Sequence, residues 1–124
     1  AMVGTFISAL VGGLGVALTV LLGMMAIDFI TGIMAGAHDG QLSSSRGFKG
    51  LVKKSYIILL IGAVYLIQLA IPAAEFAADG VTIAFIVTEF ISIVENGDRL
   101  GVPMPAKVSE WVKSVSPEKV GEDK

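Results

Sequence analysis

Charge is missing from most of this chain. Residues 1–37 contain one charged side chain, Asp28, and residues 55–74 contain none. As a single helix, residues 3–37 would extend about 52 Å. The hydrocarbon core of a bilayer is about 30 Å thick and takes about 20 residues to cross. The first run is therefore long for one upright span and short for two. It is compatible with a long tilted helix, with an interfacial piece followed by a span, and with a hairpin broken at Gly12-Gly13-Leu14-Gly15. The interfacial reading is favoured, with residues 1–14 as the apolar interfacial segment and 15–37 as span 1. Asp28 then lies within the membrane or near its cytoplasmic boundary.

Composition supports a membrane setting. Hydrophobic residues make up 54% of the 124 and charged residues 16%, against about 25% charged in soluble domains. The net charge of −2 gives no reason to expect nucleic acid. With no cysteine and one histidine, His38, neither a disulfide nor a metal site is expected, and no cofactor is implied. No Lys or Arg precedes the first apolar run, so it lacks the basic region of a secretory signal and is expected to be retained.

The remaining chain divides by its punctuation. Residues 38–54 read as a basic cytoplasmic loop: a turn-rich polar stretch, with Ser43, Ser44 and Ser45 as candidate helix caps, followed by Arg46, Lys49, Lys53 and Lys54. Residues 55–74 have the length of span 2, given polar character by Tyr56, Tyr65 and Gln68 and closed by Pro72. Residues 75–80 read as a short external loop and 81–96 as span 3. Residues 97–105, with Pro103 and Pro105, form an elbow. Residues 106–115 carry Val108, Trp111, Val112 and Val115 on one helical face, as an amphipathic interfacial helix does. Residues 116–124 read as a tail. The fold class is all-α: an integral membrane protein with about three transmembrane helices plus that C-terminal helix. Loop 38–54 holds four Lys/Arg and loop 75–80 none. The positive-inside rule then places the N-terminus outside and the C-terminus in the cytoplasm.

Span 3 carries the most chemistry. Thr82, Thr88, Glu89, Ser92, Glu95 and Asn96 fall on one face roughly 140° wide. A charge at mid-membrane costs about 2.5–3.5 kcal/mol on insertion scales and usually faces a bundle interior or water. The stripe is either a pore or subunit-facing surface or a seam buried within one protomer. Both readings stand, and Glu95 also suits the wet end of the span. Asp28 with Thr31 reads as an intramembrane acid that pairs across helices, with Lys53 or Lys54 as the candidate cation, or as a wetted helix end. Gly32 and Gly36 form a GxxxG pair for close helix packing, within or between chains. The basic residues Arg46, Lys49, Lys53 and Lys54 suit anionic membrane lipid, and Trp111 suits an interfacial anchor. The glycines at 40, 47 and 50 lack the spacing of a phosphate-binding loop. No catalytic constellation assembles, so an enzyme is not expected.

Four motifs in sequence resemble one family. They are Asp28-Phe29-Ile30-Thr31-Gly32-Ile33; Leu42-Ser43-Ser44-Ser45 with Gly47, Gly50 and Lys53-Lys54; Glu89-Phe90-Ile91-Ser92-Ile93-Val94-Glu95-Asn96; and Leu100-Gly101-Val102-Pro103-Met104-Pro105. In order and spacing they resemble the phage holins, a family that also includes clostridial toxin-secretion holins. The resemblance covers roughly residues 20–115. It implies a multi-pass protein of the bacterial inner membrane that homo-oligomerises and permeabilises that membrane, in functional association with an endolysin or a secreted toxin. A small transporter with an intramembrane carboxylate and a non-permeabilising membrane adaptor are the alternatives.

Overall fold

The computed structural model describes residues 1–74 and 76–115. The expected tail at 116–124 lies outside the described residues. The described chain is helical, with no strand among these residues. Helix α1 covers Met2–Leu14 and α2 Val16–His38. Gly15 separates them at φ 87, ψ 165, a conformation open essentially to glycine alone. Helix α3 covers Ser44–Ala70, α4 Ala77–Arg99 and α5 Ala106–Val115.

Each boundary has a local cause. Helix α2 stops at Gly40, which takes φ 69. There Gly40 N–H donates to Ala37 O at 3.3 Å and Gln41 N–H to Gly36 O at 2.8 Å, the paired bonds of a Schellman stop. Helix α4 ends the same way. Gly101 takes φ 79, its N–H donates to Asp98 O at 3.0 Å, and Val102 N–H donates to Gly97 O at 3.0 Å. Ser43, extended at φ −143, starts α3, its side chain accepting the Arg46 N–H. Pro72 ends α3 by forcing Ile71 out of the helical region, and a single 3-10 turn at Pro72–Ala74 leads towards α4.

Three segment boundaries differ from the sequence reading. The basic stretch expected as loop 38–54 is helical from Ser44 onward. Once Ser43 caps the first turn, nothing up to residue 54 stops propagation, because Arg, Lys and Leu are good helix formers and the glycines at 47 and 50 cost only about 1 kcal/mol each. The external loop expected at 75–80 falls earlier, since α3 ends at Ala70 instead of reaching 74 and α4 begins at Ala77, and the elbow expected at 97–105 shrinks because α4 continues to Arg99. Charged residues end an apolar run without ending the helix that carries it.

Helices α2, α3 and α4 are each long and apolar enough to cross a membrane. At 23, 27 and 23 residues they extend about 35–40 Å. Helix α1, with 13 residues, extends only about 20 Å. Helices α2 and α4 pack together along most of their length, and α3 leans against the pair. Leu21, Met25 and Ile61 form a small apolar core, flanked by Leu18, Ile57, Tyr65, Val81, Phe85 and Ile86. The outer faces are apolar too: Leu59 is 72% exposed and Leu69 81%. In water such a surface would drive aggregation; against lipid tails it is the matching solvent. Helix α5 folds back so that Trp111 meets Phe90 edge-on, ring centroids 5.5 Å apart.

Candidate functional site: a buried ion cluster between three helices

The polar face of α4 turns inward. Glu89 and Asn96 lie seven residues apart, two helical turns, and both are buried. They face Asp28 on α2, which is buried as well. The third helix supplies the cation. Lys54 Nζ donates to Asp28 Oδ2 at 2.7 Å and to Glu89 Oε2 at 2.8 Å. One ammonium thus forks between two carboxylates on two different helices.

Asn96 completes the cluster. Its Nδ2 donates to Asp28 Oδ1 at 3.0 Å, to the Asp28 carbonyl at 3.2 Å and to Thr31 Oγ1 at 2.9 Å. Two hydrogens serve three acceptors, so one is shared. Thr31 Oγ1 itself donates back to Ile27 O at 2.9 Å. Among the described residues no buried side-chain nitrogen or oxygen is left without a hydrogen-bond partner. That completeness matters in lipid, where no water repairs a missing partner. The pairing holds two acids and one base inside the protomer, leaving one formal negative charge when all three are ionised.

The cluster borders an open cleft of about 450 Å³ between the end of α2, the start of α3 and the end of α4. Arg46, Lys53 and Arg99 stand around it, with Ser92 and Thr88 on the α4 wall. Arg99 Nε donates to Asp39 Oδ2 at 2.9 Å, tying the ends of α4 and α2 together. The Arg99 guanidinium, with His38 assisting, holds the Asp39 carboxyl below the usual aspartate range.

The structure gathers some sequence candidates and separates others. Asp28, Thr31, Glu89, Ser92 and Asn96 meet on the inward face. Thr88 and Glu95 are exposed. Gly32 approaches Asn96, and Gly36 is covered by Leu42, so the GxxxG pair is used inside the protomer. Of Lys53 and Lys54, the two candidate partners of Asp28, Lys54 is the one that reaches in, so it leaves the lipid-facing basic group and is partly buried in the cluster. The signal that could have placed it is spacing. Lys54, Ile57, Ile61, Tyr65 and Gln68 share one face of α3, and Ile61 on that face is fully buried. Arg46, Lys49 and Lys53 are exposed, as is Trp111.

Three apolar helices wrapped around an internal polar cluster define a multi-span helical membrane protein. The particular family follows from comparison: residues 5–116 match the bacteriophage holin family, and the chain belongs to it. An uncharacterized protein of Listeria monocytogenes, Lmo0128, is 32% identical over 97% of this chain and 85% of its own length. An uncharacterized 14.9 kDa protein from the nagH 3' region of Clostridium perfringens is 32% identical over 94% of this chain and 89% of its own length. An uncharacterized protein of Halalkalibacterium halodurans, BH0965, is 28% identical over 90% and 87% respectively. No solved structure matches the chain.

Proposed function

We propose that this protein permeabilises the bacterial cytoplasmic membrane as a homo-oligomer, and that the protomer described here is its closed form. The observation that carries the reading is the Lys54 fork. A helix bundle meant only to sit in lipid has no need of two intramembrane acids, whose placement costs several kcal/mol unless they are paired or face water. Here they are paired, and the partner comes from the least embedded of the three long helices. Withdrawal of α3 would uncover Asp28, Glu89 and Asn96 on one surface of the α2/α4 pair. That surface is tolerable only against water, which an oligomeric ring provides. Family membership supports the same reading, with an endolysin or a secreted toxin as the material released.

Purified protein reconstituted into liposomes tests this, using entrapped markers graded from small dyes to folded proteins. Release of protein-sized markers, rising steeply with protein-to-lipid ratio, is expected. Liposomes that stay tight to every marker would refute permeabilisation, and release of small solutes alone would favour a transporter. The orientation is tested separately. Single cysteines at positions 78 and 41 in intact cells should be labelled from outside at 78 and protected at 41, for an N-terminus outside and a C-terminus in the cytoplasm.

A further inference from the structure

We propose that the cleft beside the ion cluster binds the phosphate of an anionic phospholipid, held between Arg46 and Lys53. The charges inside the cleft are largely committed: Lys54 holds the two carboxylates and Arg99 is paired with Asp39. Arg46 and Lys53 form no ion pair among the described residues, and both line the cleft. They stand seven residues apart, two turns along the same side of α3. Arg46 makes only a 3.3 Å hydrogen bond to Gln41 Oε1. Two uncommitted cations over one opening are complementary to one phosphodiester anion.

Depth and lining select a lipid over free phosphate. Measured along α3 from Ala70, Lys53 is about 25 Å away and Arg46 about 36 Å. The hydrocarbon layer is about 30 Å thick, so the two cations bracket the level of the headgroups. Phe29, Ile33 and Ile57 give the cleft wall apolar ground beside the polar Thr88 and Ser92 of α4. An acyl chain can lie along those three side chains, which offer nothing to inorganic phosphate. Gly50 also lines the cleft, and a Cβ built there meets nothing within 4 Å, so the space in front of it is open to a ligand. The inference is independent of permeabilisation, since a tight membrane protein could hold the same lipid.

The test uses the full chain in neutral detergent micelles doped equally with phosphatidylglycerol and phosphatidylcholine, with retained lipid read by native mass spectrometry. Preferential retention of phosphatidylglycerol is expected. Arg46→Gln and Lys53→Gln should each lower it about tenfold, the loss of one hydrogen bond to a charged phosphate. Lys49→Gln makes the same charge change outside the cleft and should leave retention unchanged. Gly50→Leu keeps every charge, fills the open space and should also lower retention. Circular dichroism should show equal helix content in all variants. Equal retention of the two lipids would overturn the proposal. So would equal losses in Lys49→Gln and Lys53→Gln, undiminished retention in Gly50→Leu, or displacement of the lipid by inorganic phosphate.

Discussion

Helices α2 and α4 each bury five residues, whereas α3, the longest helix, buries only Ile61. The α2/α4 seam mixes glycine, alanine, threonine and asparagine with the acids, so backbones approach and side chains hydrogen-bond directly. Small residues and interhelical hydrogen bonds are what hold helices together where lipid removes the hydrophobic drive. Helix α3 has a different attachment. At one end Lys54 reaches the two carboxylates; in the middle Ile61 joins the small core. At the other end Tyr65 donates to Asp79 at 3.3 Å, and Gln68 accepts from the Ala78 N–H at 3.4 Å. The contrast teaches that a bundle can be made of a fixed pair and a third member fastened at a few points. The strongest of those points is electrostatic.

The largest effect should come from removing the cation. Lys54→Met leaves two buried carboxylates without a counter-charge, and breaking a buried pair this way typically costs about 3–5 kcal/mol. Disulfide trapping between cysteines on α3 and α4 in membranes should fall sharply, while trapping between α2 and α4 should persist. If both fall together, the division into a fixed pair and a fastened helix is wrong. Glu89→Gln sharpens the point, because it leaves Lys54 balanced by Asp28 alone. It should preserve α3 docking and delay permeabilisation at matched protein level. Asp28→Asn and Glu89→Gln combined with Lys54→Met remove the charges together and should recover much of the docking.

A smaller effect is expected at the seam. Asn96→Leu deletes the donor shared by Asp28 and Thr31, and a buried acceptor that loses a partner costs about 1–3 kcal/mol. Here α2–α4 trapping should weaken while α3 trapping changes less, the reverse of the Lys54 result.

The smallest effect belongs to the exposed Asp39–Arg99 pair. Asp39 has its folded-state carboxyl held below the usual range. Its contribution is therefore present above the ordinary aspartate value and is lost as pH falls through the depressed folded one. Thermal unfolding in detergent should show Asp39→Asn slightly less stable than the parent at neutral pH, with the difference vanishing in strong acid. A difference that grew on acidification would contradict the pairing.

The long apolar helices and the acids set in them were legible in the sequence because lipid imposes long charge-free runs and makes any exception conspicuous. Asp28 and Glu89 stand out for that reason. Lys54 was legible only as one of two candidate partners for Asp28, because Lys53 beside it looks the same until the helical face is traced through to Ile61. The start of α3 was hidden for a related reason: charge indicates where water begins and leaves the secondary structure undetermined. The inward turn of Gly32 and Gly36 was beyond reach too, since GxxxG spacing is the same whether the approaching backbone belongs to this chain or another.

Helix α1 has no buried residue and is joined to α2 through Gly15, a single swivel point. The protein therefore does little to fix its tilt, and the surrounding bilayer must. A rod of about 20 Å is too short for a hydrocarbon layer of about 30 Å. Standing upright it would pull the leaflets together; lying flat it would wedge one of them apart. Either posture couples the protein to membrane thickness and tension. A helix so placed would make bilayer thickness and tension an input to the bundle.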